Sequence, residues 1–352
     1  MNQKHSDSET SLRQFDPDAP AGPDSGIYGL PFSPEESRVV ILPVPFEATT
    51  SYGGGTSEGP AAVLTASRQV DLFDYETGKP YESGIAMLPI PAEVEGWNRE
   101  AKASAAPIIE AGGAGDEFVE QLSHVNRIGE ALNAWVREQT SALLDSGKMA
   151  VILGGDHSVP YGAIQAYAER YPGIGILHLD AHADLRDAYE GFTWSHASIF
   201  HNVMTKVPAV GKLVQVGVRD LGRAEREMIR GSGGRIETVF DADVARRRDS
   251  GTPFAEIADE MVAHLPEVVY LSWDIDGLDP TLCPGTGTPV PGGFSWNDAI
   301  ALLRALVRGR KTIVGMDLCE VSPGDTEWDA NVGARLLYKM IGFALLTQRN
   351  AR

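Results

Sequence analysis

Cysteine is nearly absent. Cys283 and Cys319 are two thiols in 352 residues, too few for a disulfide framework, and both are read as reduced. No stretch approaches the roughly 18 consecutive apolar residues that a membrane helix requires. The opening MNQKHSDSETSLRQFDPDAP lacks the apolar core of a secretory signal, so a cytoplasmic protein is expected. Positive charge is also scarce. Thirty basic residues, eight of them lysine, face 49 acidic ones, giving a formal charge of −19. That balance disfavours nucleic acid and anionic membranes as partners and favours small cationic substrates.

What is present is an ordinary globular composition, 43% hydrophobic, with a repeating order of elements. Residues 1–37 are rich in Pro, Ser, Asp and Gly without apolar periodicity and read as a flexible tail. Residues 38–352 read as one catalytic domain. Within it, apolar runs at 38–44, 149–153, 173–179, 213–218, 268–273 and 312–316 have the length of buried strands. Helical patterns lie between and after them, at 61–70, 117–145, 161–169, 223–230, 254–264, 296–308 and 333–346. Residues 91–116, polar and rich in Gly and Ala, are expected to form an inserted surface loop. Strand and helix in alternation predict a single-domain three-layer α/β/α sandwich around a mostly parallel sheet.

In such sheets ligands bind where the chain leaves the carboxyl ends of the strands. Three of those places carry unusual clusters: Gly154-Gly155-Asp156-His157-Ser158, Asp180-Ala181-His182-Ala183-Asp184 and Asp274-Ile275-Asp276. Alone, an Asp-x-Asp is usually a turn or a capping pair, and Gly-Gly-Asp-His a tight turn with a capping Asp. Three such clusters, all at strand ends of one sheet, can converge on one point. In extended chain, residues two apart project together, which groups Asp180, His182 and Asp184, and likewise Asp274 and Asp276. With His157 this makes six candidate metal ligands, two imidazoles and four carboxylates, a set suited to Mn²⁺, Ni²⁺ or Fe²⁺. Four carboxylates crowded together stay ionised only if cations balance them, and two divalent ions supply the matching charge. His178 lies inside a strand and reads as a packed histidine, His124 and His264 as helix residues, and His5 as part of the tail.

With these residues assembled, the sequence resembles the ureohydrolase family of arginases, agmatinases and guanidinobutyrases over roughly residues 38–348. The resemblance rests on GGDHS (154–158), DAHAD (180–184), SWDIDGLDP (272–280), PGTGTPVPGG (284–293) and Glu320 in CEVSP. It implies an arginase-like fold and two Mn²⁺ per chain, with Ni²⁺ as the alternative. Asp180 and Asp274 would bridge the ions, His157 and Asp184 would complete one shell, and His182 and Asp276 the other. The implied reaction is hydrolysis of a guanidino C–N bond, releasing urea plus an amine or ammonia. Water activated between the metals attacks the guanidino carbon, Asp184 accepts its hydrogen bond, Glu320 pairs with the guanidinium, and His196 shuttles protons through a near-neutral titration.

The substrate is less defined. At the proton-shuttle position agmatinases usually carry His-Gly-Thr and arginases an Asn-x-His-Gly pattern nearby. This chain has His196-Ala197-Ser198. Arginine is therefore disfavoured relative to an agmatine-like compound, 4-guanidinobutyrate or free guanidine. Trp194 and Trp328 are candidates to wall a narrow pocket, and loop 49–56 to reach it. Formimidoylglutamate hydrolysis uses the same machinery, a mononuclear-zinc deacetylase-type amidohydrolase has fewer carboxylates, and a metal-binding pseudoenzyme would normally lack a ligand. Relatives form trimers or hexamers, which implies a homo-oligomer.

Overall fold

The computed structural model describes residues 15–22 and 24–350. Eight strands form one sheet: β1 Val39–Val44, β2 Ile85–Met87, β3 Met149–Gly154, β4 Ile174–Leu179, β5 Val210–Val218, β6 Ile236–Phe240, β7 Val268–Asp274 and β8 Thr312–Cys319. Their order is β2-β1-β3-β8-β7-β4-β5-β6, and every pairing is parallel. β1, β3 and β4 are buried along their whole length, as a parallel sheet covered on both faces requires.

Alternate strand residues feed opposite faces. Val39, Ile41, Val151, Leu153, Leu177 and Leu179 pack with helices α1 (Gly59–Ser67), α8 (Phe254–Ala263), α9 (Trp296–Arg308) and α10 (Trp328–Asn350). Leu42, Val44 and Ile152 pack with α2 (Ala92–Glu110) and α3 (Val119–Asp145). Ile174 and Ile176 pack with α4 (Tyr161–Arg170) and α5 (Ile199–Lys206). Two further helices, α6 (Arg223–Gly231) and α7 (Asp241–Asp249), flank β6. The three-layer α/β/α sandwich is the expected one. Among the described residues no helix is long and apolar enough to cross a membrane.

Two expectations need correction. The stretch 91–116 is mostly the helix α2, not a loop. Its buried positions Val94, Asn98, Ala101, Ala105 and Ile108 recur every three to four residues, but one is Asn and two are Ala, and Pro107 lies within. The apolar signal was therefore faint. Part of the segment read as a flexible tail is also packed. Tyr28 is buried, its N–H donates to Ser67 Oγ at 2.9 Å and its hydroxyl to Ala334 O at 3.1 Å. Residues 1–14, which include His5, lie outside the described residues.

Candidate metal centre

The carboxyl ends of β3, β4, β7 and β8 adjoin one another at the middle of the sheet. Asp274 ends β7, and the loops leaving β3, β4 and β7 carry the other candidate ligands. After β3 the chain turns so tightly that a Cβ on Gly155 would stand 2.1 Å from Phe46 O. Asp156 caps this turn by accepting from the Ser158 N–H at 3.0 Å, which leaves His157 facing the cluster. The loop after β7 passes so near the end of β4 that a Cβ on Gly277 would lie 2.9 Å from the Asp180 backbone nitrogen. That approach lets Asp276 Oδ1 accept from the Ala181 N–H at 2.9 Å, while Asp274 Oδ1 accepts from the Asp276 N–H at 2.8 Å.

All six residues come together. His157 Nδ1 lies 3.1 Å from Asp180 Oδ2 and 3.4 Å from both Asp184 Oδ2 and Asp274 Oδ2. His182 Nδ1 lies 3.1 Å from Asp276 Oδ2 and 3.3 Å from Asp180 Oδ1. Asp180 thus divides its two oxygens between two nests, one around His157 and one around His182. Of the six, five side chains are buried and His182 is partly so. Carboxylate oxygens outnumber the donors available to them, and a divalent cation in each nest would satisfy that convergence. The donor set fits two hard-to-borderline ions, with Asp180 placed to touch both.

The protonation behaviour follows from the crowding. Burial lowers the His157 imidazole, but hydrogen bonds to Asp180, Asp184, Asp274 and Asp317 outweigh it and raise it well above its ordinary value. For His182, burial is likewise overcome by the Asp276 and Asp180 carboxylates, which push it up to about 12. Burial, then the charge of Asp180, lifts Asp184 to about 8. Asp274 rises well above the usual range through burial and the charges of Asp276 and Asp180. Protons are the cations such a cluster gathers by itself, and metal ions invert this balance.

Asp184 and Glu320 both sit in left-handed backbone, with φ of 54° and 64°, at a cost of roughly 1–3 kcal/mol each. Their backbones are anchored. Asp184 O accepts from the Phe200 and His201 N–H groups at 3.0 and 3.1 Å, while the Glu320 N–H donates to Gly155 O at 2.8 Å. The twist aims both carboxyls at the cluster. Glu320 Oε1 accepts from the His157 N–H at 2.9 Å, and Oε2 is buried without a protein partner. Burial and the charge of Asp156 hold this carboxyl well above its ordinary range.

His196 is buried beside loop 49–56, its N–H donating to Thr49 Oγ1 at 3.4 Å, with Nδ1 unpartnered. The near-neutral titration expected of it is not what its surroundings produce. Burial, then the charge of His182, pushes the imidazole down to about 4, so it is neutral at physiological pH. Loop 49–56 does reach the centre: a Cβ on Gly287 would lie 3.2 Å from Glu320 Oε2 and 3.4 Å from Thr50 Cγ2. Trp194 does not contribute a wall, since it packs on Gly129 of α3 and on Tyr161, with Lys206 Nζ 4.3 Å above its ring. The Trp328 indole donates to Thr281 O at 3.0 Å and the side chain is half exposed.

His178 is more than a packed histidine. Its Nε2 lies 2.9 Å from Asp180 Oδ2, and burial holds its imidazole below the ordinary value. Ser272 Oγ lies 2.9 Å from His157 Nε2. Both residues stand two positions before a cluster aspartate, and strand alternation could have flagged them.

A sequence model of the arginase family matches residues 37–342. The N(1)-aminopropylagmatine ureohydrolase of Thermus thermophilus is 36% identical over 320 residues, spanning 90% of this chain and 94% of that protein. The agmatinase of Bacillus anthracis is 31% identical over 297 residues, spanning 82% and 85%. The crystal structure of agmatine ureohydrolase of Thermoplasma volcanium superposes with a TM-score of 0.71, covering 97% of this chain and 100% of that one. At 24% identity it speaks to the fold. By the match along nearly the whole described chain and the likeness to these relatives, the chain belongs to the arginase family.

Proposed function

We propose that this protein hydrolyses the C–N bond of a guanidino group, releasing urea and an amine, at a centre of two divalent ions held by His157, Asp180, His182, Asp184, Asp274 and Asp276. The observation that carries the reading is the pair of carboxylate-lined nests sharing Asp180. Mn²⁺ is the metal we assign, with Ni²⁺ as the alternative. When bound, the ions supply Lewis acidity that makes water a nucleophile near neutral pH.

The chain's own groups do the rest. Glu320 offers the free Oε2 to a planar cation with several N–H donors, an acceptor geometry that suits guanidinium. Asp184, held by its left-handed backbone, accepts the hydrogen bond of the attacking water. His196, neutral and with a free Nδ1, passes the proton toward the departing amine. Buried surroundings exclude bulk water and strengthen these interactions.

The relatives named above act on agmatine and aminopropylagmatine, and the charge of −19 favours a cationic substrate. We assign an alkylguanidine with a cationic tail, ahead of 4-guanidinobutyrate, guanidine and arginine. A cytoplasmic setting and a trimeric or hexameric assembly belong to the same proposal. The test is urea release from a panel of these compounds and aminopropylagmatine after reconstitution with Mn²⁺ or Ni²⁺. Arginine turned over as well as agmatine would overturn the substrate assignment, and formamide release from formimidoylglutamate the reaction.

A further inference from the structure

Directly beneath the carboxylates, five adjacent strands carry polar side chains in one register. Thr238 on β6 pairs with Gln215 on β5, Gln215 with His178 on β4, His178 with Ser272 on β7, and Ser272 with Asp317 on β8. Residues opposite one another in a sheet share a face. Gln215, His178, Ser272 and Asp317 are wholly buried. Two positions earlier, Ile176 and Tyr270 belong to the apolar cluster with Tyr167 and Phe200. The polar row thus lies between the strand residues of that cluster and the ligands, while Phe200 packs on the rings of His157 and His178. Burying four polar side chains side by side is costly unless each finds a partner.

The partners run in a defined direction. The Thr238 hydroxyl donates to Gln215 Oε1 at 3.0 Å, which fixes the amide orientation. Gln215 Nε2 then donates to Ala183 O at 2.6 Å and to His178 Nδ1 at 3.0 Å. A neutral imidazole that accepts at Nδ1 carries its hydrogen on Nε2, and that nitrogen donates to Asp180 Oδ2 at 2.9 Å. In the other half of the row, the single hydroxyl hydrogen of Ser272 goes to Asp317 Oδ1 at 3.0 Å. Ser272 Oγ is left to accept from His157 Nε2–H at 2.9 Å. Once a cation replaces the proton that the carboxylates hold there, the neutral His157 would carry its lone pair on Nδ1, aimed where Asp180, Asp184 and Asp274 converge.

We propose that this row is a positioning layer in which Gln215 and Ser272 set the tautomers of His178 and His157, and thereby how tightly the centre holds its cations. The inference rests on the two-ion reading proposed above. With its Nδ1 protonated, His157 would turn a hydrogen toward the cation. With His178 reversed, a lone pair would face Asp180. Loss of an outer hydrogen-bond partner of a metal ligand typically weakens binding about 10–100-fold.

The test is calorimetric titration of EDTA-stripped protein with Mn²⁺, comparing the native chain with Ser272→Ala, Ser272→Thr and Gln215→Met. Unfolding temperatures of the stripped proteins report the fold separately. Ser272→Ala and Gln215→Met are expected to lose about 10–100-fold in Mn²⁺ affinity while the stripped proteins unfold near the native temperature. Ser272→Thr, which keeps the hydroxyl, is expected to restore binding. Native-like affinity in both hydroxyl-free and amide-free variants would overturn the inference alone, as would a Ser272→Thr protein that folds but binds as poorly as Ser272→Ala. A native protein that takes up no divalent cation would overturn the two-ion reading itself.

Discussion

Asp276→Asn separates the two nests. Asp276 Oδ1 accepts from the Ala181 N–H, and Oδ2 faces His182 Nδ1 at 3.1 Å. Asparagine keeps the first interaction through its carbonyl and replaces the charged oxygen with a donor, so the loop after β7 should hold its path. The nest around His157 keeps Asp180, Asp184 and Asp274, and the nest around His182 loses half its carboxylates. A unit charge and a divalent ion about 4 Å apart interact by about 8 kcal/mol at an effective dielectric of 20. Even if desolvation offsets half of that, at about 1.4 kcal/mol per decade the weakened nest should bind its ion about a thousandfold less tightly. The assay is metal content after dialysis against buffered micromolar Mn²⁺, beside calorimetry. One ion per chain and a collapse of urea release are expected. Two ions retained at native affinity would refute the assignment of Asp276 and the division into nests.

Other consequences follow from the same geometry. Glu320→Gln keeps the acceptor for the His157 N–H but loses the charge facing guanidinium, and should raise KM about 10–100-fold, since hydrogen bonds to charged groups contribute about 1.5–3 kcal/mol; steady-state kinetics would show it. His196→Asn should lower kcat about a hundredfold or more with metal content unchanged. In the metal-free protein, Asp184 is lifted from 3.8 to about 8, so the folded chain holds a proton that the unfolded chain releases. Stability of the stripped protein should therefore fall as pH rises from about 4 to about 8, and His182, also raised, acts with the same sign above its ordinary value. Bound Mn²⁺ displaces these protons, so its affinity should rise with pH over that window, as unfolding temperatures with and without metal would report. Gly155→Ala forces a Cβ against Phe46 O and should cost about 3 kcal/mol in denaturant unfolding.

The parallel sheet was legible because its central strands are unbroken apolar runs, and the ligands because they lie at strand ends in period-two spacing. Less visible were elements whose burial is not written in large apolar side chains. Helix α2 packs through Ala101 and Ala105 and carries Pro107, β2 is three residues long, and β6 has one fully buried position. The supporting layer was hidden for another reason. His178, Gln215, Ser272 and Asp317 are far apart in sequence and meet only through the order β5-β4-β7-β8, which apolar periodicity does not encode. The left-handed backbone at Asp184 and Glu320 was equally invisible, since neither is the glycine that usually marks such a position.

On the proposed function, two cations held by side chains from neighbouring strand ends make one hydrolytic centre. The most direct test is urea release from agmatine or aminopropylagmatine, measured as Mn²⁺ is added to stripped protein in known equivalents. Urea should appear mainly with the second equivalent and plateau at two per chain. A plateau at one equivalent, or no urea from any guanidino compound at two, would rule out a two-cation ureohydrolase centre.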